Sequence, residues 1–331
     1  MPQATTTILG AGEMGTALAT VLAENKYKTT LWDIEEDVVN GIKRFSKNPR
    51  SLVDITLDRS IKAELDIEKA VSGSDMVVIA VASPAVREVA GKIDGSLSRN
   101  CVIVSVAKGL EESTFKPMVK VIREQLGGDF EHQIMAFSGP THSNEIVEKK
   151  PTAAMLASAR SNEYSKRAIE AFTNEWFKIY ETRDVIGVSL AGVTKNALAV
   201  AAGIMTGLGY GSNTYAWIIT EGFREMSRLT WKLGGQEDTV YGLAGLGDTV
   251  ATCFAHDSRN RSFGELIGKG KTVTRALNTI GETVEGISGI DVLHKIALKE
   301  KLNLPVLKAM YEVVSLKKKA NKVFEDLVKS F

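Results

Sequence analysis

Two groups of residues have the types and spacing that chemistry requires. The first is "GAGEMG", in which Gly10, Gly12 and Gly15 form the pattern G-x-G-x-x-G. In dinucleotide-binding proteins these glycines allow a tight turn, the approach of a pyrophosphate and close helix packing, in that order. Asp33 follows about 20 positions later, where a carboxylate accepts from a ribose 2′-hydroxyl and repels a 2′-phosphate. The alternative is a glycine-rich turn without a ligand.

The second group lies in the C-terminal half of the chain. Lys195 follows "GVT" and begins an apolar helical run. A lysine partly withdrawn from water can exchange a proton with a reacting carbonyl or hydroxyl group. Asp248 ends "GLAGLGD", and the glycines before it give the backbone freedom to aim a carboxylate at an ammonium group. The ordinary alternatives are an exposed lysine at a helix start and a turn or N-cap aspartate.

A cluster of hydrogen-bond donors follows in "SRNR". Ser258, Arg259, Asn260 and Arg261 are close enough in sequence to hold a phosphate dianion. A polar loop between two helices accounts for the same residues. The sequence alone leaves both interpretations open.

The elements that must position these residues alternate between strands and helices in the first half. β-prone runs, several of them rich in Val, Ile and Ala, predict strands at residues 5–9, 29–32, 75–82, 101–107 and in "HQIMAFSGP". Such runs between helices are typical of a parallel sheet covered on both faces, which is the α/β doubly wound (Rossmann) fold. Ligands of this fold bind beyond the carboxyl ends of the strands. There the sequence places Gly10, Asp33, Ser83 with Pro84, Lys108 and "SGPTHSNE".

The alternation of predicted strands and helices ends near Asp184. A long helical stretch rich in small residues follows, and no strand alternation returns. We therefore predict a dinucleotide-binding domain over residues 1–184 and an all-α substrate and catalytic domain over residues 185–331.

Composition narrows the class of function. The 331 residues include 41 basic and 40 acidic side chains, so no overall field attracts nucleic acid or membranes. No apolar run approaches the roughly 20 residues that span a bilayer, and the first strand begins too early for a signal peptide. We expect a cytoplasmic protein without nucleic-acid or membrane partners.

Metal chemistry is not indicated. Cys101 and Cys253 lie in apolar surroundings and lack C-x-x-C spacing, which favours reduced buried thiols. The histidines show no ligand spacing and stand at His132, His142, His256 and His294. We expect no metal site.

One family carries all of these motifs in this order. The chain contains "GAGEMGTALA", "AKGLEE", "SGPTHSNE", "GVTKNALAVAAGIMTGLGYGSNT", "GLAGLGDTVATC", "SRNRSFGE" and "TVEGISG", nearly from end to end. This set resembles the soluble bacterial and archaeal NAD(P)-dependent glycerol-3-phosphate dehydrogenases. The resemblance implies interconversion of dihydroxyacetone phosphate and sn-glycerol 3-phosphate, a precursor of phospholipids, by a homodimer. It implies a nicotinamide cofactor, NAD(H) or NADP(H), and Asp33 makes NAD(H) the expected preference of this chain with NADP(H) as a possible one.

The resemblance also assigns roles to residues. Lys195 is the expected proton donor in reduction, Asp248 orients it, and Lys108 polarises the carbonyl or binds substrate. The expected substrate-binding residues are Lys108, Gly139, Thr141, Lys195, Asn196, Asp248, Thr252, Ser258, Arg259 and Asn260. The expected cofactor-binding residues are Gly10, Gly12, Glu13, Met14, Gly15, Asp33, Lys108, Ser143, Arg259, Thr283 and Glu285.

Some positions depart from the family pattern. Asp33 stands near a position where many relatives have a neutral or basic residue, and it favours NADH over NADPH. Ser51 and Val53 replace a frequent tyrosine and proline, and Glu221 replaces a usual arginine. Two rival functions remain: a related dehydrogenase for another small anionic hydroxy or oxo substrate, and a regulator that binds NAD but has lost catalysis.

Overall fold

The chain forms two compact units. The computed structural model describes residues 4–254 and 258–331, so His256 lies outside the described residues. The first unit comprises the residues up to Glu111 together with Lys116–Val185. The second comprises Glu112–Phe115 and Ile186–Phe331.

The first unit contains one eight-stranded sheet. Its strands are β1 (Thr5–Leu9), β2 (Lys28–Trp32), β3 (Lys62–Glu64), β4 (Met76–Ile79), β5 (Val102–Ser105), β6 (Ile134–Ser138), β7 (Thr152–Ala157) and β8 (Phe177–Thr182). Their order in the sheet is β3-β2-β1-β4-β5-β6-β7-β8. In the parallel pair β1 and β2, Leu9 is opposite Trp32. The residues that follow, Gly10 and Asp33, therefore leave the sheet side by side.

Helices connect these strands. They are α1 (Glu13–Glu24), α2 (Glu36–Phe45), α3 (Ile67–Val71), α4 (Val86–Ile93), α5 (Met118–Leu126), α6 (Ser143–Val147) and α7 (Glu163–Phe172). The apolar strands and the inner faces of the helices form a core in which Ile8, Leu18, Val78 and Val104 have no exposed surface. The doubly wound α/β fold predicted from the alternating runs is confirmed.

Three features of the sheet differ from the prediction. Strand β7 runs antiparallel to β6, and the connection between them contains the five-residue helix α6. Strands β3 and β8 were not predicted. Both are edge strands, and exposed side chains interrupt their apolar pattern, as Lys62 does in β3 and Lys178 does in β8.

The described residues of the second unit form helices and connecting turns and contain no strand. Its helices are α8 (Val185–Gly207), α9 (Ser212–Lys232), α10 (Glu237–Tyr241), α11 (Asp248–Phe254), α12 (Arg259–Gly268), α13 (Val273–Ile280), α14 (Glu285–Lys299), α15 (Pro305–Val314) and α16 (Ala320–Ser330). Small residues let α8 and α12 pack backbone to backbone. A Cβ atom on Gly203 would lie 2.0 Å from the Arg261 carbonyl oxygen, and one on Gly264 would lie 2.2 Å from that of Val200.

Helix α8 contradicts the expectation that no apolar run approaches the length of a membrane-spanning helix. It has 23 residues and a mean hydropathy of 1.6 in its most apolar window, so it is long and apolar enough to cross a membrane. In the folded unit 78% of that window is buried. This burial is the pattern of a core helix, and Lys195 lies within it.

Candidate active site

The glycine-rich turn has the geometry of a dinucleotide site. Gly10 has a φ angle of 106°, and a Cβ atom there would lie 2.9 Å from the Ala80 carbonyl oxygen. A Cβ atom on Gly15 would lie 1.9 Å from the Gly10 carbonyl oxygen, so only glycine lets α1 sit this close to the turn. A Cβ atom on Gly12 would have no other atom within 4 Å. The open side of Gly12, at the uncapped N-terminus of α1, fits a pyrophosphate.

Two side chains hold the middle of this turn. The Asp33 carboxylate accepts from the backbone N–H of Ala11 at 2.8 Å, and its other oxygen accepts from Glu35 N–H at 3.0 Å. The buried Asn48 amide donates to the Ala11 carbonyl oxygen at 2.6 Å and to the Thr16 hydroxyl at 3.0 Å. Both polar groups of the Ala11 backbone are thus fixed by side chains from outside the turn.

Sequence reasoning did not single out Asn48. Its side-chain oxygen also accepts from the backbone N–H groups of Arg50 and Ser51, at 3.0 and 3.1 Å. The only available signal was an asparagine before a proline in a turn-rich segment, which is ordinary turn chemistry. The contacts of Asn48 tie the segment that contains the departure Ser51 to the glycine-rich turn.

A second part of the first unit surrounds Lys108. The Lys108 ammonium donates to the Gly139 carbonyl oxygen at 3.4 Å, and the Thr141 hydroxyl donates to the same oxygen at 3.1 Å. The Ser83 hydroxyl donates to the Lys108 carbonyl oxygen at 2.9 Å. The structure thereby brings together three predicted substrate-binding residues, and Ser143 follows as the first residue of α6.

The segment after Lys108 is anchored by an ion pair that sequence reasoning also missed. The Arg87 guanidinium in α4 donates to Glu111 at 2.8 Å and to Glu124 at 3.0 Å. The side-chain hydrogen bonds of these two carboxylates raise the pKa of Arg87. A planar guanidinium shared by two carboxylates fixes the path of the chain more firmly than a single exposed pair.

The second unit brings Lys195 and Asp248 together. The Lys195 ammonium donates to the Asp248 carboxylate at 2.7 Å and to the Thr252 hydroxyl at 3.2 Å. The side chains of Lys195 and Asp248 are 13% and 3% exposed. Asp248 begins α11 directly after a turn of π-helix at Leu243–Gly247, and such turns often occur at functional sites. The lysine is held in a direction set by two partners, with part of its surface still open to water.

A hydrogen-bonded chain of side chains begins at the next residue, Asn196. Its amide donates to the Glu285 carboxylate at 3.0 Å, and its oxygen accepts from the Asn260 amide at 3.1 Å. The Asn260 oxygen accepts from the Gly286 N–H at 2.8 Å. Three predicted site residues from α8, α12 and α14 therefore form one polar network.

The N-terminus of α12 has the features of an anion site. The Ser258 hydroxyl caps it by accepting from the Arg261 N–H, and its first turn has no acidic residue. The Arg259 guanidinium is half exposed and pairs with Glu282 at 3.0 Å. The first backbone N–H groups of a helix, beside an arginine and an asparagine, suit a phosphate. Thr283 is an exposed residue just before α14.

Two family models match most of the chain. The family described as "NAD-dependent glycerol-3-phosphate dehydrogenase N-terminus" matches residues 5–164, and its "C-terminus" counterpart matches residues 184–325. The chain belongs to the NAD-dependent glycerol-3-phosphate dehydrogenase family.

Individual relatives of the NAD-dependent glycerol-3-phosphate dehydrogenase family match nearly the whole chain. A glycerol-3-phosphate dehydrogenase [NAD(P)+] from Staphylococcus haemolyticus is 38% identical over 308 residues, which are 93% of this chain and 92% of the relative. One from Clostridium botulinum is 36% identical over 320 residues, covering 97% of this chain and 96% of the relative. The crystal structure of glycerol-3-phosphate dehydrogenase from Coxiella burnetii is 35% identical, with a TM-score of 0.91 over 98% of this chain and 99% of that one.

Proposed function

We propose that the protein reduces dihydroxyacetone phosphate to sn-glycerol 3-phosphate with NADH and catalyses the reverse oxidation. The observation that carries this proposal is the contact of Lys195 with Asp248, because reduction of a ketone needs a proton donor. Bound NADH would supply the hydride to the carbonyl carbon, and it would be held by the turn containing Gly10, Gly12 and Gly15. The product is the glycerol phosphate of phospholipid synthesis.

Lys195 acts as the proton donor in this proposal. Its ammonium gives a proton to the carbonyl oxygen of the substrate as that oxygen becomes a hydroxyl, and its neutral amine takes the proton back in the oxidation. Asp248 and Thr252 aim the ammonium, since both accept from Lys195 at short distance. The cation also stabilises the negative charge that develops on the oxygen. Lys108 contributes a second positive charge and binds or polarises the same substrate.

The phosphate of the substrate binds at the N-terminus of α12. Ser258, Arg259 and Asn260 supply the hydroxyl, guanidinium and amide donors that a dianion requires. Asn196 holds Asn260 in place at 3.1 Å, while Gly139 and Thr141 border the substrate near Lys108. Glu285 accepts from Asn196, and it borders the cofactor together with Glu13, Met14, Ser143, Arg259 and Thr283.

NADH is the preferred cofactor in this proposal. The Asp33 carboxylate is held beside the turn by Ala11 N–H at 2.8 Å. A carboxylate fixed there accepts from the 2′-hydroxyl of the adenosine ribose and repels the 2′-phosphate of NADPH. NADPH is a slower substrate.

The wider setting of the enzyme is also part of the proposal. We place the functional boundary between the domains at residues 184/185, and we expect a cytoplasmic homodimer that needs neither nucleic acid nor a membrane. The near balance of 41 basic and 40 acidic side chains supports the absence of a nucleic-acid partner. The family names glycerol 3-phosphate, so a different hydroxy or oxo acid and a regulator without catalysis are not favoured.

The function is tested by the loss of nicotinamide absorbance with purified protein. Dihydroxyacetone phosphate, an unphosphorylated 2-oxo acid and a buffer blank are compared, each with NADH and with NADPH. We expect fast oxidation of NADH with dihydroxyacetone phosphate alone. Oxidation with the 2-oxo acid would move the assignment to another dehydrogenase, and binding of NADH without turnover would indicate a regulator.

The phosphate site has its own matched test. Replacing Arg259 with alanine removes the guanidinium at α12, and we expect KM for dihydroxyacetone phosphate to rise about tenfold or more. Arg224→Ala is the control, because Arg224 is likewise an exposed arginine paired with one glutamate, Glu221, at 3.1 Å. Equal KM values for the two variants would contradict the phosphate role of Arg259.

A further inference from the structure

The second unit has a large cavity that the proposed reaction does not use. Its walls are the end of α8, the connection from α12 to α13 and the connection from α15 to α16, and its volume is about 750 Å³. This volume lies within the range of small-molecule sites in proteins. Gly207 lines the cavity, and along α8 it lies about 18 Å from Lys195 at the helical rise per residue. The cavity shares no residue with the catalytic cluster or with the donors at α12.

The cavity is lined by cations and by no carboxylate. Its lysines come from the two connections and are Lys269, Lys271, Lys317, Lys318 and Lys319. Lys269 pairs with Glu265 at 2.6 Å, and Lys318 pairs with Glu312 at 3.2 Å. In the described part of the chain, no carboxylate lies within ion-pair distance of the other three. Five lysines around one cavity, with only two of them neutralised, create a local field that attracts anions although the whole chain is nearly neutral.

Two helix N-termini add to this field. Helices α13 and α16 both begin at the cavity, at Val273 and Ala320. Neither helix has an acidic residue in its first turn, and no side chain caps α16. Helix N-termini carry partial positive charge that acidic side chains usually offset. The backbone therefore strengthens the attraction that the lysines already provide.

The remaining wall of the cavity is apolar. Leu208, Ile267, Val313 and Ala320 line it, and Ile267 and Val313 are almost fully buried, at 5% and 1% exposure. A bare inorganic anion would leave this wall in contact with water. We propose that the cavity binds an organic polyphosphate of nucleotide size, with its phosphates among the lysines and its organic part against the apolar wall.

The test is isothermal titration calorimetry of the full chain with ATP as the probe. NADH is present at saturation, so that the glycine-rich turn is occupied. The double variant Lys317→Gln/Lys319→Gln removes two of the cavity lysines. We expect the native protein to bind ATP and the double variant to bind it at least about tenfold more weakly, because charge-assisted contacts to phosphate are lost. The affinity for NADH in a separate titration stays unchanged.

The chain offers a close control. Lys299→Gln/Lys301→Gln removes two exposed lysines that do not line the cavity, and Lys301 has a φ angle of 55° beside 54° for Lys317. This control pair matches the loss of charge and the backbone conformation, and we expect native affinity for ATP. Equal affinities of the cavity and control variants, or no binding of ATP to the native protein, would overturn the proposal.

Two further probes separate the sources of a polyanion. Inorganic tripolyphosphate is expected to bind more weakly than ATP, because it leaves the apolar wall uncovered. Tripolyphosphate affinity equal to that of ATP would overturn the organic part of the proposal. Vesicles with anionic phospholipids are expected not to retain the protein. Retention that depends on Lys317 and Lys319 without binding of ATP would show a membrane surface instead.

Discussion

The Asp248 carboxylate lies 2.7 Å from the Lys195 ammonium, although the two residues are 53 positions apart in the sequence. Asp248 comes from the start of α11 and Lys195 from the middle of α8, and both side chains are mostly buried. A buried ammonium and carboxylate compensate each other, and the carboxylate fixes where the ammonium points. This relationship is the basis of the proposed chemistry.

Asp248→Asn tests the orienting role directly. The amide cannot attract the Lys195 ammonium as the carboxylate does, so we expect kcat for reduction of dihydroxyacetone phosphate to fall on the order of a hundredfold. The Kd for NADH stays near the native value. Thr252→Ser is the control, because it keeps the hydroxyl that accepts from Lys195. Native kcat in Asp248→Asn would contradict the role of the carboxylate.

Asp33→Asn tests the cofactor preference. The amide oxygen can still accept from Ala11 N–H, so the turn keeps its side-chain partner while the negative charge is removed. We expect the ratio of kcat/KM for NADH to that for NADPH to fall about tenfold, since the 2′-phosphate no longer meets a like charge. Steady-state rates with both cofactors measure the ratio. A native ratio in this variant would assign the selectivity to other residues.

Asn48→Ala tests the clamp on the glycine-rich turn. The substitution removes one of the two side-chain donors to the Ala11 carbonyl oxygen, which keeps only the Thr16 hydroxyl at 3.1 Å. It also leaves the backbone N–H groups of Arg50 and Ser51 without the side-chain oxygen that accepts from them. We expect the free energy of unfolding to fall by about 2 kcal/mol and the Kd for NADH to rise more than kcat falls. Denaturant titration and calorimetry measure the two effects. Asn303→Ala, at an exposed asparagine of the second unit, should change neither, and native NADH affinity in Asn48→Ala would contradict the clamp.

Glu225 gives the protein a specific pH dependence of stability. Burial raises the pKa of this α9 carboxyl from 4.5 to about 7, while hydrogen bonds from Val306 and Leu307 N–H oppose the shift. The folded state therefore binds the proton more tightly than the unfolded state. Protonation of Glu225 therefore stabilises the folded protein. This stabilisation is complete below pH 4.5 and is lost as the pH rises through about 7.

The size of this effect follows from the shift of the pKa. We expect it to be on the order of 3 kcal/mol. Denaturant titrations across this pH range should show a decline for the native protein that Glu225→Gln lacks. Glu221 adds a like charge that raises the pKa of Glu225, so Glu221→Gln should move the decline to lower pH. Parallel pH profiles for the native protein and Glu225→Gln would contradict this account.

Local patterns predicted the parts of the fold that are local in sequence. Gly10, Gly12 and Gly15 lie within one strand-to-helix turn, and their spacing is enough to predict the turn that the structure contains. The register of β1 and β2, which brings Asp33 beside Gly10, follows from the parallel sheet. The antiparallel direction of β7 could not be predicted in this way, because strand direction depends on the path of the connection and leaves no trace in the apolar pattern.

The side-chain contacts within the site could not be predicted from local sequence patterns. Neither Asn48 nor Glu225 has neighbours in sequence that reveal its partners, since Asn48 reaches Ala11 and Glu225 reaches the first amides of α15. The sequence raised a contact between Asp248 and an ammonium group as one possibility beside a turn or N-cap aspartate, and the resemblance to a family assigned that contact to Lys195. A buried polar side chain needs partners, but only the folded chain shows which ones it has.

The central claim is that Lys195 gives the proton to the substrate, and one comparison tests it most directly. Native protein and Lys195→Met are assayed for oxidation of NADH by dihydroxyacetone phosphate, and their NADH affinities are measured alongside, with Lys299→Met as the control. We expect Lys195→Met to bind NADH as the native protein does and to lose kcat by about a thousandfold, while Lys299→Met remains native. Turnover by Lys195→Met near the native rate would contradict the account.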